Sequence, residues 1–251
     1  MKTLVSHKKI FKSRFLNFLG LQVCRILCAQ LIHSFKVRKN QTNLHKRGFD
    51  IYENFLTRDK FLLITKEFDK AYKEFSPIQG DDLAYGTKVE SVPISYLQKK
   101  KKIFPNLLKF VESKEIIDLV SDHELISKDK LSNRGSFKIR LEKTYLGKKI
   151  KNNKYDSNSD PHKDTFHKIT KIIYYITDVN RDSAPFTFFN QTNRLNLKIL
   201  LQEWIKSFTK PNGGPRFSEK FLKKVSSKKT TLTCKKNTLI IADTGYGIHN
   251  R

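Results

Sequence analysis

The feature that most constrains this chain is a short polar stretch that gives way to an apolar one. Residues Tyr155 to Asp160 are polar and turn-forming, Pro161-His162-Lys163-Asp164 follows, and Ile172 to Ile176 then forms a continuous apolar run. A run of that length after turn residues reads as a buried strand. In extended backbone, side chains two positions apart point the same way. His162 and Asp164 therefore face one point, and Lys163 turns away. An imidazole and a carboxylate so placed are two members of a 2-His-1-carboxylate set, the arrangement that holds non-heme Fe(II) and leaves coordination positions open. Near the C-terminus, the strand-like Thr238-Leu-Ile-Ile-Ala242 runs into Asp243-Thr-Gly-Tyr-Gly-Ile-His249, which offers the third member. His167 lies five residues from His162, on the opposite face of a regular strand, and is the weaker alternative.

The order of these pieces resembles the phytanoyl-CoA dioxygenase-like family of Fe(II)/2-oxoglutarate oxygenases. The resemblance starts at Gly48-Phe-Asp-Ile-Tyr-Glu-Asn-Phe-Leu-Thr57. It continues through Pro161-His-Lys-Asp164 and Tyr175-Ile-Thr-Asp-Val-Asn-Arg-Asp-Ser-Ala-Pro-Phe-Thr-Phe-Phe189, and closes at Asn237 to His249. It implies an α+β fold, mainly β with flanking helices, around a double-stranded β-helix (jelly-roll, cupin-like) core. It implies His162, Asp164 and His249 as metal ligands, with Fe(II) and 2-oxoglutarate as cofactors. The reaction implied is hydroxylation of a small organic or lipid-linked metabolite. Two departures stand out. The family's Pro-Gly-Ser-His-like turn is replaced by Asn190-Gln-Thr-Asn193. The family's cosubstrate Arg, about ten residues past the last His, has no counterpart in a sequence that ends at Arg251. Arg140 and Arg251 are the candidate substitutes, and the resemblance then implies that iron is bound better than 2-oxoglutarate. Rival readings are a catalytically impaired or truncated homologue that binds polyanions or a membrane surface, and a nucleic-acid-modifying oxygenase.

The rivals draw on charge. Fifty Lys and Arg against 24 Asp and Glu give a net charge of +26, which favours anionic partners. Lys abundance throughout the chain is equally a compositional bias, so nucleic acid is not the favoured partner. The charge is most lopsided at the start, where residues 1 to 49 contain no Asp or Glu. Within that segment Phe15 to Phe35 is mostly apolar, interrupted by Asn17, Gln22, Arg25, Gln30, His33 and Ser34. Arg25 near mid-membrane would cost roughly 2.5–3.5 kcal/mol, which argues against a spanning helix. A helix packed on the catalytic domain, a basic helix lying on a membrane surface through residues 8 to 39, and an organelle transit peptide remain. The reading is thus a basic helical extension over 1–47, an oxygenase-like domain over 48–251, and a helical insertion over 194–229. Three sparse cysteines suit a reducing, cytoplasmic compartment, with organellar or membrane-peripheral placement as alternatives. Cys24 and Cys28 share a helix face, and buried apolar use is expected of them.

The remaining pattern predicts a strand in 48–55, a helix over 58–75 capped by Thr57, and irregular or weakly stranded chain over 78–97. It predicts a solvated turn at Lys99 to Lys102 and one helix over 107–120. Ser136 to Tyr145 alternates with period two and is expected to flank the strand after His-x-Asp. Leu195 to Phe208 reads as a helix broken by Pro211-Asn-Gly-Gly-Pro215, with Ser218 capping a short helix to Val225.

Overall fold

The computed structural model describes residues 14–37, 43–75, 78–80, 87–124, 140–146, 160–164, 169–209, 215–226 and 228–251. Helices α1 (Arg14–Phe18), α2 (Leu21–Val37) and α3 (Asn43–Arg47) lead to β1 (Phe49–Tyr52) and α4 (Arg58–Glu74). There follow β2 (Ile78–Gly80), β3 (Thr87–Pro93), α5 (Ile94–Lys99), α6 (Pro105–Val111), α7 (Lys114–Glu124) and β4 (Arg140–Leu146). The rest is β5 (Thr170–Tyr175), β6 (Thr187–Phe189), α8 (Leu197–Thr209), α9 (Glu219–Val225), β7 (Lys229–Thr231), β8 (Thr238–Asp243) and β9 (His249–Asn250). The fold is α+β, with helix outweighing strand among the described residues.

Among the described residues every strand pair is antiparallel, in three small sheets ordered β1-β8-β5, β2-β3-β4 and β7-β6-β9. β8 is the central strand of the first sheet, and all six of its residues are buried. Its apolar run reads continuously because both faces are covered. Ile240 and Ala242 pack with Phe49, Phe186 and Phe188 on one side, and Ile241 packs with Leu44 and Val120 on the other. β5 divides the same way. Ile173 and Tyr175 join the Phe186–Phe188 cluster, whereas Ile172 and Tyr174 face the helices. Each β5 residue is consequently half-buried.

The expected single helix over 107–120 is two helices, α6 and α7, separated at Glu112 and Ser113. Its start is fixed from outside. The buried Glu67 carboxylate on α4 accepts the backbone N–H groups of Asn106 and Leu107 at 3.1 and 2.9 Å, satisfying donors that a helix start leaves open. The β4 expectation is also corrected. β4 pairs with β3, from Thr87–Leu146 to Arg140–Pro93, and not with β5. Its alternation identified a strand but carried no information on which neighbour it would take. Cys24 and Cys28 are exposed rather than buried, because the face of α2 that carries them points away from the body.

Helices α1 and α2 pack on α8, with the Asn17 amide donating to Ser207 O at 2.9 Å and Trp204 Nε1 donating to Phe18 O at 3.1 Å. Among the described residues no helix is long and apolar enough to cross a membrane.

Candidate metal centre

Three backbone segments meet at the proposed site. His162 exchanges both backbone hydrogen bonds with His249, each 2.9 Å. On the other side His162 bridges to Arg216, with Lys163 N donating to Pro215 O at 3.1 Å and Phe217 N to Pro161 O at 2.8 Å. Asp164 N donates to Thr244 O at 3.1 Å, so the His-x-Asp segment is pinned along its length. The turn into His249 is tight. The Asp243 carboxylate accepts Tyr246 N, Gly247 N donates to Asp243 O, and a Cβ on Gly247 would lie 2.0 Å from the Phe188 ring and 2.6 Å from Asp243 O. Only glycine fits there. β9 then pairs with β6, setting His249 opposite Phe188, and the His249 ring stacks on Phe186 at 5.4 Å.

The structure brings His162, Asp164 and His249 together. One ligand atom from each lies within 4.8 Å of the others. His162 Nε2 is 3.8 Å and His249 Nε2 3.5 Å from Asp164 Oδ1. Both rings have their tautomer fixed from behind. His162 Nδ1 lies 2.7 Å from Asp160 O, and His249 Nδ1 lies 3.2 Å from Gly247 O. A carbonyl only accepts, so each Nδ1 carries the proton and each Nε2 presents a lone pair. Two lone pairs and a carboxylate oxygen thus converge on one space, and His249 Nε2 is buried with no hydrogen-bond partner. Such a convergence of acceptors is a donor set that fits a cation bound by nitrogen and oxygen.

The electrostatics agree with that reading. Burial, then the neighbouring His249, lowers the His162 imidazole to about 4, despite the opposing pull of Asp160 O and Asp164. The ring is therefore neutral at neutral pH, the form that ligates metal. Burial would push the Asp164 carboxyl up, but its polar neighbours, with the Lys171 ammonium the charged one among them, hold it well below the usual carboxylate range. Asp164 is thus an anion.

The sequence pattern did not single out Lys171 or Arg216. Lys171 Nζ donates to Asp164 Oδ1 at 3.2 Å and lies 3.0 Å from Oδ2. It shares the odd-numbered face of β5 with Ile173 and Tyr175, so strand alternation held the signal. Arg216 reaches His162 only through tertiary pairing, which no local pattern encodes.

Among the described residues, no hydrogen bond or ion pair joins either of the two arginines expected as cosubstrate partners to His162, Asp164 or His249. Arg251 Nη1 lies 3.6 Å from Glu142 Oε2 on β4. Arg140 stands opposite Pro93 on β4, and its side chain, like all of His167, lies outside the described residues. Lys163 does turn away from the site, and it ends in a buried ion pair with Glu203 on α8.

No protein-family model matches the chain, and no curated protein matches it in sequence. Solved structures do match in shape. The non-heme alpha ketoglutarate dependent epimerase SnoN from nogalamycin biosynthesis matches with TM-score 0.52 at 13% identity, over 86% of this chain and 74% of SnoN. SnoN in complex with Fe3+, alpha ketoglutarate and nogalamycin RO matches with TM-score 0.54 at 13% identity, over 86% and 77%. HygX from Streptomyces hygroscopicus, solved with nickel, 2-oxoglutarate and hygromycin B, matches at TM-score 0.42 and 10% identity, over 85% and 80%, too loosely to support an argument. At these identities the likeness is one of fold.

Proposed function

We propose that this chain is an Fe(II)/2-oxoglutarate-dependent oxygenase of the phytanoyl-CoA dioxygenase-like kind, built on a distorted double-stranded β-helix, that hydroxylates a small organic or lipid-linked metabolite. The observation that carries the reading is the convergence of His162 Nε2, His249 Nε2 and the Asp164 carboxylate, with both tautomers fixed for ligation. The fold shared with SnoN, whose structure holds Fe3+ and alpha ketoglutarate, supports it.

His162, Asp164 and His249 would hold the metal. Bound iron with 2-oxoglutarate supplies the oxidising power for attack on an unactivated C–H bond, chemistry that no side chain of the chain possesses. The chain's own contribution is placement and charge. Asp164 offers an anion, the His162 imidazole stays neutral, and the backbone pairing of 162 with 249 keeps the donors on one side. Phe186 and Phe188 form an apolar wall beside His249, limiting water at the reacting position. Lys171 already partners Asp164, so it would be close to any carboxylate entering beside that residue. Arg251 stays a candidate for the cosubstrate carboxylate, but it would first have to leave Glu142. Weak 2-oxoglutarate affinity is therefore the expected behaviour.

The test is anaerobic Fe(II) binding by calorimetry, followed by succinate release from 2-oxoglutarate in air. One Fe(II) per chain, lost in His162→Ala with the circular dichroism of the fold retained, is expected. Equal Fe(II) binding by wild type and His162→Ala, or none by wild type, would refute the assignment.

A further inference from the structure

Helix α2 is inverted for an element facing water. Its inward arc carries Gln22, Arg25, Ile26 and Gln30, all buried. Its outward arc carries Leu21, Cys24, Cys28, Leu31 and Phe35, all exposed, spaced three and four residues apart along one stripe. Phe35 is 64% exposed, and Phe15 on the preceding α1 is 67% exposed. The preceding α1 is tied to α8 by Asn17 to Ser207 and Trp204 to Phe18, and α2 itself packs on both α1 and α8. The apolar surface continues onto α8. Leu197, 77% exposed, and Leu201 lie on the helical stripe that leads to Trp204 and Phe208, where Phe18 docks. Exposed large apolar side chains gathered on helices that pack together mark an interaction site.

The charge of the sequence that carries it selects the occupant. Residues 1 to 49 hold eleven Lys and Arg and no acidic residue, in a chain of net charge +26. Arg194 and Lys198, both exposed, flank the α8 leucines. A second copy docking through the same face would set two acid-free, basic segments against each other, an unfavourable like-charge juxtaposition. An apolar stripe carried by an acid-free, basic segment of the sequence matches a bilayer whose headgroups are anionic. The stripe from Leu21 to Phe35 is about 21 Å long at 1.5 Å per residue, suited to lying in the interface plane.

We propose that the exposed face of α1, α2 and the N-terminal half of α8 docks in-plane on an anionic lipid surface. This inference is independent of the metal centre, because none of its residues belongs to that site.

The test is co-sedimentation of the full chain with vesicles of phosphatidylcholine alone, and with about 30 mol% phosphatidylserine added. Binding to the anionic vesicles only is expected, weakened at least about tenfold between roughly 0.1 and 0.5 M salt. The double variant Leu31→Glu/Phe35→Glu, and separately Leu197→Glu on the other helix, should each reduce partitioning about tenfold or more. Circular dichroism and melting of each variant report on folding. No binding to anionic vesicles overturns the proposal, as does equal binding by folded variants. A dimer in light scattering that Leu31→Glu/Phe35→Glu dissociates also overturns it, and assigns the stripe to a second copy.

Discussion

Asp164 is the residue on which the site turns. It is an anion facing two imidazole lone pairs, and Lys171 is the cation bonded to it. Asp164→Asn replaces the carboxylate by an amide whose N–H can donate to either Nε2, so the lone pairs gain a partner as the charge is lost. The expected outcome is split. Stability of the metal-free protein in urea changes by no more than about 1 kcal/mol, since one partly exposed ion pair is exchanged for a neutral hydrogen bond. Fe(II) affinity falls by roughly 100-fold or more, because removing even an outer partner of a metal ligand costs about 10- to 100-fold. A loss of stability comparable to the loss of metal binding would mean that Asp164 serves the fold instead. The same residue shows where the sequence was legible. Two-residue alternation placed His162 and Asp164 on one side, and it holds in the structure because segment 161–164 is extended between two pairing partners.

At the scale of elements, two contacts decide how the site is held. The first is the buried ion pair between Lys163, the residue between His162 and Asp164, and Glu203 on α8. Breaking one partner of such a pair leaves a buried charge uncompensated, at about 3–5 kcal/mol. Lys163→Met and Glu203→Gln should each destabilise by that order in urea melts. The double variant Lys163→Met/Glu203→Leu should recover much of the loss, because an apolar pair leaves no stranded charge. Additive losses in the double variant would show that the pair is not coupled. The second contact concerns helix starts. Ser218 accepts a hydrogen bond from Phe221 N, whereas Thr57, at the same kind of position before α4, makes no side-chain cap bond. Ser218→Ala should therefore cost about 1 kcal/mol and Thr57→Ala clearly less, in the same unfolding measurement. Sequence marked both residues as caps with equal justification. The difference between them is whether the side-chain oxygen reaches the third N–H of the helix, which composition does not encode.

Across the whole molecule the governing quantity is the charge of +26. Like charges repel within a compact state, so screening should stabilise this chain. The melting temperature is expected to rise as sodium chloride increases from about 0.05 to 0.5 M, over which the screening length falls several-fold. A falling melting temperature would mean that attractive pairs dominate. Only a few ion pairs join distant elements among the described residues, such as Lys143 with Asp69 and Arg251 with Glu142. Fe(II) should add to the effect through a different route. If His162, Asp164 and His249 hold it as proposed, it joins distant segments, and at 100 times its dissociation constant it stabilises by about 2.7 kcal/mol. That gain should be absent in His162→Ala.

What the sequence determined by itself was local. Period-two spacing set the facing of His162 and Asp164, the apolar run at 238–242 set a buried strand, and Gly245 and Gly247 marked the turn that ends in His249. Helix starts and stops near 58, 197 and 219 were likewise encoded in short-range pattern. What only the tertiary structure decided were the relations between distant segments. β4 turns to β3, Arg216 comes beside His162, Lys171 reaches Asp164, and the polar rather than the apolar arc of α2 is buried. The physical reason is that backbone periodicity fixes which way a side chain points along its own element. Which partner it then meets depends on how the whole chain packs.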